Sequence, residues 1–315
     1  MKKKFLALAL FPLLLSSLTG CEKKAKYNIG ILQWVPIEAL TKATNGFKKA
    51  VKKGLGSDNV AFEVKNAQAD TSAGSSIIST FVSKNKSLIM GNATPSVKLA
   101  AAATATIPVV GTSVTSYEVA FNNNIPSNVT GTSDLADLEK QAKMIFDWYP
   151  DATKVGILYC QAEPNSKYQY DHMLTNLKAI KPTVSVSEIT FATTEELTMV
   201  LNSYKNSLDV LFVPTDDTCA NNAEAIHNIC KPAGLPVFAG EAGICAKCGL
   251  ATLSIDYFHL GEITGQMAVE ILKNGKKPSE MPIQLDESLT AYYNASILAE
   301  LGLSESDIPE GYIAL

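Results

Sequence analysis

No arginine occurs in this chain: all 27 basic residues are lysine, set against 31 acidic residues and three histidines. Any carboxylate or phosphate that the protein binds must therefore be held without the bidentate fork of a guanidinium. Backbone N–H groups at helix starts, hydroxyls, amides or a lysine must serve instead. His172, His227 and His259 are scattered, and no G-x-S-x-G elbow, P-loop or G-x-G-x-x-G is present. With no nucleophile–base pair and no ligand-spaced cluster, neither an enzyme nor a cofactor or metal is expected. After residue 20 no apolar run approaches the roughly 20 residues of a membrane-spanning helix, and the Ala-rich stretch Leu99–Ala105 reads as a packed helix. Basic runs with interleaved aromatics are also missing, which together with the acidic excess argues against nucleic acid as a partner.

What is present begins at the amino terminus. Lys2, Lys3 and Lys4 precede an apolar run, Phe5 to Leu15, that has the length of a signal h-region. Leu18-Thr19-Gly20-Cys21 follows and resembles the lipobox of bacterial lipoproteins. That resemblance implies a signal peptide over 1–20, cleavage before Cys21, and lipid on Cys21. Two or more acyl chains would give a stable anchor, with residues 21–26 as a Lys-rich tether. The protein is then expected outside the cytoplasm, anchored to a bacterial membrane by lipid. The remaining 24 lysines against 31 acids give a formal charge of −7, on a chain long enough for two medium domains.

Five further cysteines lie at 160, 219, 230, 245 and 248. Cys245-Ala-Lys-Cys248 has no second pair at zinc-ribbon spacing. It also precedes a strand, where a thioredoxin-like site would follow one. A local disulfide in an exported loop or two free thiols are the readings left. Cys219 and Cys230 fall on one face of an expected helix, roughly 16 Å apart along its axis, too far to bond.

Apolar runs and helical periods alternate along the chain. Tyr27–Gln33 reads as a buried strand, followed by a helix with Ile37, Leu40, Thr44, Phe47 and Val51 on one stripe. Val60–Val64, a Ser-capped helix around Ser76–Val82, Leu88–Gly91, a helix from Pro95, and Pro108–Gly111 continue the series. Thr112 to Val129 is less regular. The alternation restarts with a helix through Leu135, Leu138, Ala142, Ile145 and Tyr149. Strands are then expected at Val155–Tyr159, Val184–Phe191, Val210–Val213, Val237–Ala239 and Leu250–Ile255. Such alternation predicts parallel sheets covered on both faces, in two α/β lobes between which the chain crosses more than once.

Ligands of open α/β sheets sit beyond the carboxyl ends of the strands. Those ends carry Gln33 and Trp34, Asn92 with Thr94 and Ser96, Thr112, Asn165 with Ser166, Asp216 with Asp217, and Glu241. Singly, Thr94, Ser166 and Asp217 read as helix N-caps; together the set reads as a cleft lining. Trp34 is either the roof of the first core or a stacking platform for a planar ligand.

With these residues in place, the chain resembles the ABC-transporter substrate-binding lipoproteins typified by the tryptophan/tyrosine/phenylalanine receptors. The pieces that carry the resemblance are Ile29–Gln33 with Ile37–Leu40, Asn66-Ala-Gln68, Ala93-Thr-Pro95, Asn128–Asp134, Pro214-Thr-Asp216, Ala239-Gly-Glu241 and Ile255-Asp256-Tyr257. The resemblance implies a type I periplasmic-binding fold: α/β, two doubly wound parallel-sheet lobes joined by a multi-strand hinge. It implies hinge crossings near Asn128–Gly131, Leu253–Asp256 and Gln284–Glu287. The first lobe is then 27–129 with 255–284, and the second 130–254 with 285–315. The chain departs from the family pattern at Ser116-Tyr117 and at Ile244–Cys248.

The expected function is capture of an amino acid, aromatic by the resemblance, between the lobes of a monomer that delivers it to an ABC permease. Asp216 would pair with the ammonium, and Trp34 with the side chain. The carboxylate would lie on Thr94 and Ser96 or on Asn165 and Ser166. Gln33, Asn92, Thr112, Glu241 and Asp256 complete the expected lining. A sugar or nucleoside receptor of the same fold would lack a zwitterion to match; a surface sensor or adhesin would not need the permease.

Overall fold

Short apolar runs rich in Val and Ile alternate with amphipathic stretches, and each run folds as a strand buried beneath helices on both faces. The computed structural model describes residues 25–286 and 288–315. Residues 1–24, with the expected signal, Cys21 and most of the tether, lie outside the described residues, as does Glu287.

The chain opens with β1 (Tyr27–Gln33), α1 (Glu38–Leu55), β2 (Val60–Asn66), α2 (Thr71–Ser83), β3 (Leu88–Asn92), α3 (Thr94–Ala103), β4 (Val109–Val114), α4 (Tyr117–Ala120) and β5 (Val129–Ser133). It continues with α5 (Leu138–Trp148), β6 (Lys154–Cys160), α6 (Pro164–Ile180), β7 (Ser185–Phe191), α7 (Thr194–Tyr204), β8 (Val210–Val213), α8 (Asp217–Asn221), α9 (Ala223–Cys230), β9 (Val237–Ala239), α10 (Ala242–Cys248) and β10 (Ala251–Ile255). It closes with α11 (Tyr257–Asn274), β11 (Gln284–Leu285), β12 (Leu289–Tyr293), α12 (Ala295–Glu300) and β13 (Ile313–Ala314).

Two sheets result. The first runs β11-β5-β4-β3-β1-β2 and is parallel throughout. The second runs β13-β12-β10-β9-β8-β6-β7, parallel except that β12 lies antiparallel to β10. The chain passes between them after β5, after β10 and after β11. Tyr257 donates its hydroxyl to Asp134 Oδ2 at 3.1 Å, and His259 Nδ1 lies 2.9 Å from Asp286 Oδ2. These contacts tie the first crossing to the second and the second to the third.

Several expectations need correction. Residues 130–133 and Leu285 pair within the first sheet, beyond the expected boundaries at 129 and 284. The stretch read as irregular ends in β5; its threonines are buried because Thr130 Oγ1 reaches the Met281 carbonyl and Thr132 Oγ1 the Thr264 hydroxyl. Helix α2 starts at Thr71, capped by Asp70, whose Oδ1 accepts from the Ala73 amide at 2.6 Å. The serine hydroxyls inside it bond back to carbonyls four residues earlier instead of capping. The helix expected across Cys219–Cys230 is interrupted at Asn222 into α8 and α9. The Cys245/Cys248 pair lies on α10, not in a loop, and both thiols are free and buried.

The closest helix pair joins α1 to α11. A Cβ on Gly261 would stand 2.0 Å from the Ala43 carbonyl oxygen, and one on Gly46 1.9 Å from that of Phe258. Neither backbone can yield without parting the helices. Gly261→Ala is therefore expected to destabilise the protein by about 1–3 kcal/mol, read as a lower urea midpoint at unchanged slope.

Candidate ligand cleft

The carboxyl ends of both sheets face each other, and the helices that follow the strands supply the walls between them. Ile37, just ahead of α1, packs against hydrophobic clusters of both lobes. On the hinge side lies a cavity of about 10 Å³, room for one water. Asp134, Thr215, Asp216, Asp217, Glu241 and Tyr257 line it, under a cover of Ile37, Ala39 and Leu40. Toward the mouth lies a chamber of about 570 Å³. Its walls include Trp34, Ala69, Thr94, Pro95, Lys98, Leu99, Ser116 and Val119 from the first lobe, and Glu163, Pro164 and Asn165 from the second.

Trp34, Thr94 and Asn165 thus meet in the outer chamber, and Asp216 and Glu241 in the inner cavity. Ser96 and Ser166 are fully buried in the first turns of α3 and α6, and Ser96 Oγ has no hydrogen-bond partner. Other members of the expected set work inside the fold. Gln33 donates to the Val35 carbonyl and Thr41 Oγ1 and accepts from Thr44 Oγ1. Asn92 donates to the Leu40 carbonyl at 2.7 Å and to Thr44 Oγ1 at 3.0 Å. The two amides thereby fix α1 across the ends of β1 and β3. Thr112 accepts from Thr132 Oγ1 within the first sheet. Asp256 caps α11 at an exposed position and faces a separate cavity with Glu38 and Lys42.

The expected caps also change hands. Ala93, Glu163 and Asp216 occupy the N-cap positions of α3, α6 and α8, displacing Thr94, Ser166 and Asp217. Asp216 is 1 % exposed and fully engaged: Oδ1 accepts from the Cys219 amide at 2.7 Å and Oδ2 from the Cys160 amide at 2.9 Å. Glu241 caps α10 through the Gly243 and Ile244 amides, each at 2.6 Å. Glu163 accepts from the amides of Asp217 and Thr218. Ala93 takes φ 81° and ψ 156°, a region that favours glycine. Gln68, Ala69 and Ser113, by other strand ends of the first lobe, also have positive φ, as do Asn85, Asn122 and Asn123 after its helices.

Two residues to which the sequence reading gives no ligand contact stand out. Asp134 is 4 % exposed and its Oδ1 has no partner; burial raises its carboxyl to about 6, against the opposing hydrogen bonds of Tyr257 and Thr115. Asp217 is half-buried, and burial, then the charges of Asp216, Asp134 and Glu241, push it up to about 8. Burial likewise raises Asp216, Glu163 and Glu241. None of these five carboxylates forms an ion pair among the described residues. The hinge end of the cleft thus gathers acidic groups with no cation paired to them. A signal for Asp134 was available: it follows a strand's carboxyl end, as the other candidates do.

A family model described as ABC transporter substrate binding protein matches residues 28–308. The chain belongs to that family. The family is one of solute binding. A protein named tyrosine-binding protein from Clostridioides difficile (strain R20291) is 34% identical over 309 residues, covering 91% of this chain and 89% of that one. Among solved structures, one from Streptococcus pneumoniae in complex with L-Trp superposes with a TM-score of 0.85 at 27% identity, covering 92% of this chain and all of that chain. The ligand-free, open structure of a substrate-binding protein with adhesive properties from Clostridium difficile gives 0.71 at 34% identity, covering 92% of this chain and 99% of that one. In overall arrangement this substrate-binding protein lies nearer the L-Trp complex, although its sequence lies nearer the open protein. The fold is the expected type I α/β architecture with two parallel-dominated sheets.

Asp216→Ala strips acceptors from two buried amides and is expected to lower the unfolding free energy by about 1–3 kcal/mol. Asp217→Asn, which removes no acceptor from the backbone, is expected not to lower it. Urea titrations of the two variants separate a capping carboxylate from a free one.

Proposed function

We propose that this protein captures an α-amino acid with an aromatic side chain between its lobes and delivers it to an ABC importer. The observation that carries the reading is the polarity of the cleft. Its hinge end holds carboxylates without a cation, and its mouth is an apolar chamber walled by Trp34, Leu99 and Val119. The starts of α3 and α6 stand along the chamber between them.

Asp217, with Asp134, takes the ammonium group, because a charge enclosed by closure needs an opposite charge beside it. Asp216 and Glu241 hold the surrounding helix starts. The ligand carboxylate lies at the N-terminus of α3, where Thr94 and the unpartnered Ser96 hydroxyl stand, and against Asn165 of α6. This arrangement suits a chain without arginine. Trp34 faces the aromatic ring. The tyrosine-binding relative and the L-Trp complex support this choice of ligand. On this reading the protein works outside the cytoplasm as a monomer, held to the membrane by lipid on Cys21.

A screen of thermal unfolding against amino acids, sugars and nucleosides tests the reading. A ligand at a hundred times its dissociation constant adds about 2.7 kcal/mol, and tyrosine, tryptophan or phenylalanine is expected to do so. Asp217→Asn should weaken that ligand by about 30-fold or more, as expected when one partner of a buried charge pair is removed. Stabilisation by sugars alone, or full affinity in the variant, would overturn the assignment.

A further inference from the structure

Closing the lobes lays Ile37, Ala39 and Leu40 over Asp134, Asp216, Asp217 and Glu241, leaving between them a space for a single water. Asp134, which lines that space, holds one buried oxygen without a hydrogen-bond partner. The Asp217 carboxyl has only burial and neighbouring negative charges acting on it. Several carboxylates around one cavity with room for a single water cannot all stay ionised without a counter-ion. On the ligand reading above, a bound ammonium is that counter-ion; without it, none of the described residues pairs with these acids.

We propose that closure of the empty cleft takes up protons on Asp134 and Asp217, so that acid shuts the ligand-free protein and an arriving ammonium displaces those protons. The second clause rests on the ligand reading above; the first does not.

The neighbouring groups leave these carboxyls to titrate. On α1, Glu38 is already paired with Lys42 at 2.7 Å, and Lys42 is the positive charge that reaches Glu241. Burial raises the phenols of Tyr117 and Tyr257 and the thiol of Cys219 well above their usual ranges, so all three stay neutral. Glu163 borders Asp217 and is itself raised well above its usual range, first by burial and then by the charges of Asp216 and Asp217. Asp256 lies on the far side of Tyr257, on the Lys42 cavity. Parting the lobes lifts α1 away and returns the acids to water, where a carboxyl titrates near 4. In the closed form Asp134 stands at about 6 and Asp217 at about 8. Between pH 4 and 8 the closed form therefore binds more protons than the open one. Its share rises as pH falls, by up to tenfold per pH unit for each proton taken up.

Small-angle X-ray scattering of the purified protein, freed of ligand, tests this from pH 8.5 to pH 5. The radius of gyration is expected to contract as pH falls. Asp217→Asn, and independently Asp134→Asn, should be more contracted at pH 8 and respond less to acid. A wild-type radius that stays constant over this range overturns the proposal, as does an unaltered acid response in both variants. Neither measurement involves an amino acid, so a failed ligand screen and a failed proton coupling are told apart.

Discussion

Burying negative charge without a positive partner is the constraint around which the rest of this molecule is arranged. Five carboxylates converge on one cleft, and no lysine among the described residues pairs with any of them. Three of them are tolerated because backbone amides stand in for the missing cations. Asp216 takes amides from α8 and from the end of β6, Glu241 takes two from α10, and Glu163 takes two from α8. Each helix start presents unsatisfied N–H groups and the positive end of a dipole. The two acids left over, Asp134 and Asp217, receive no such help in full, and they are the ones free to meet something that arrives from outside.

The first lobe contributes shape where the second contributes charge. Its strand ends are polar, yet Gln33 and Asn92 spend their amides on Thr44 and on carbonyls of their own lobe, so that α1 is held rigidly over the acids. Ala93, in a backbone region where a side chain is strained, sets the direction from which α3 enters the cleft. The cysteines belong to neither task. All five described thiols sit in one apolar cluster of the second lobe, where a thiol packs as a small hydrophobe. Cys245 and Cys248 bond to the Gly249 and Ile244 carbonyls in the last turn of α10.

Much of this fold is legible in the sequence because buried parallel strands are written as unbroken apolar runs. Val210–Val213 and Val237–Ala239 are strands to the residue. Strand β5 is not so written: Val-Thr-Gly-Thr-Ser has the composition of a loop, and as an inner strand it buries hydroxyls whose partners, on α11 and at the Met281 carbonyl, lie more than 130 positions away. Its end, Asp134, was lost with it. The choice between Asp216 and Asp217 is illegible for a different reason. Adjacent carboxylates are chemically identical in the sequence, and which one turns inward to cap depends on the backbone angles at a single step. The cleft's general place was readable from strand ends; the division of labour within it depends on contacts between the lobes.

The glycine contacts between α1 and α11 have a mechanical meaning. Where the two backbones touch, at Gly46 and Gly261, no side chain stands between them to absorb sliding, so the helices move as one body. Helix α11 begins at the second crossing, on Tyr257, and its 18 residues make an arm of about 27 Å. The pair is therefore a crank. Its pivot lies at the Tyr257–Asp134 contact, and one end of its stiff frame, the start of α1, is the lid over the acids. A turn of a few degrees at the pivot and the uncovering of the cavity are then one motion, with no slack between them.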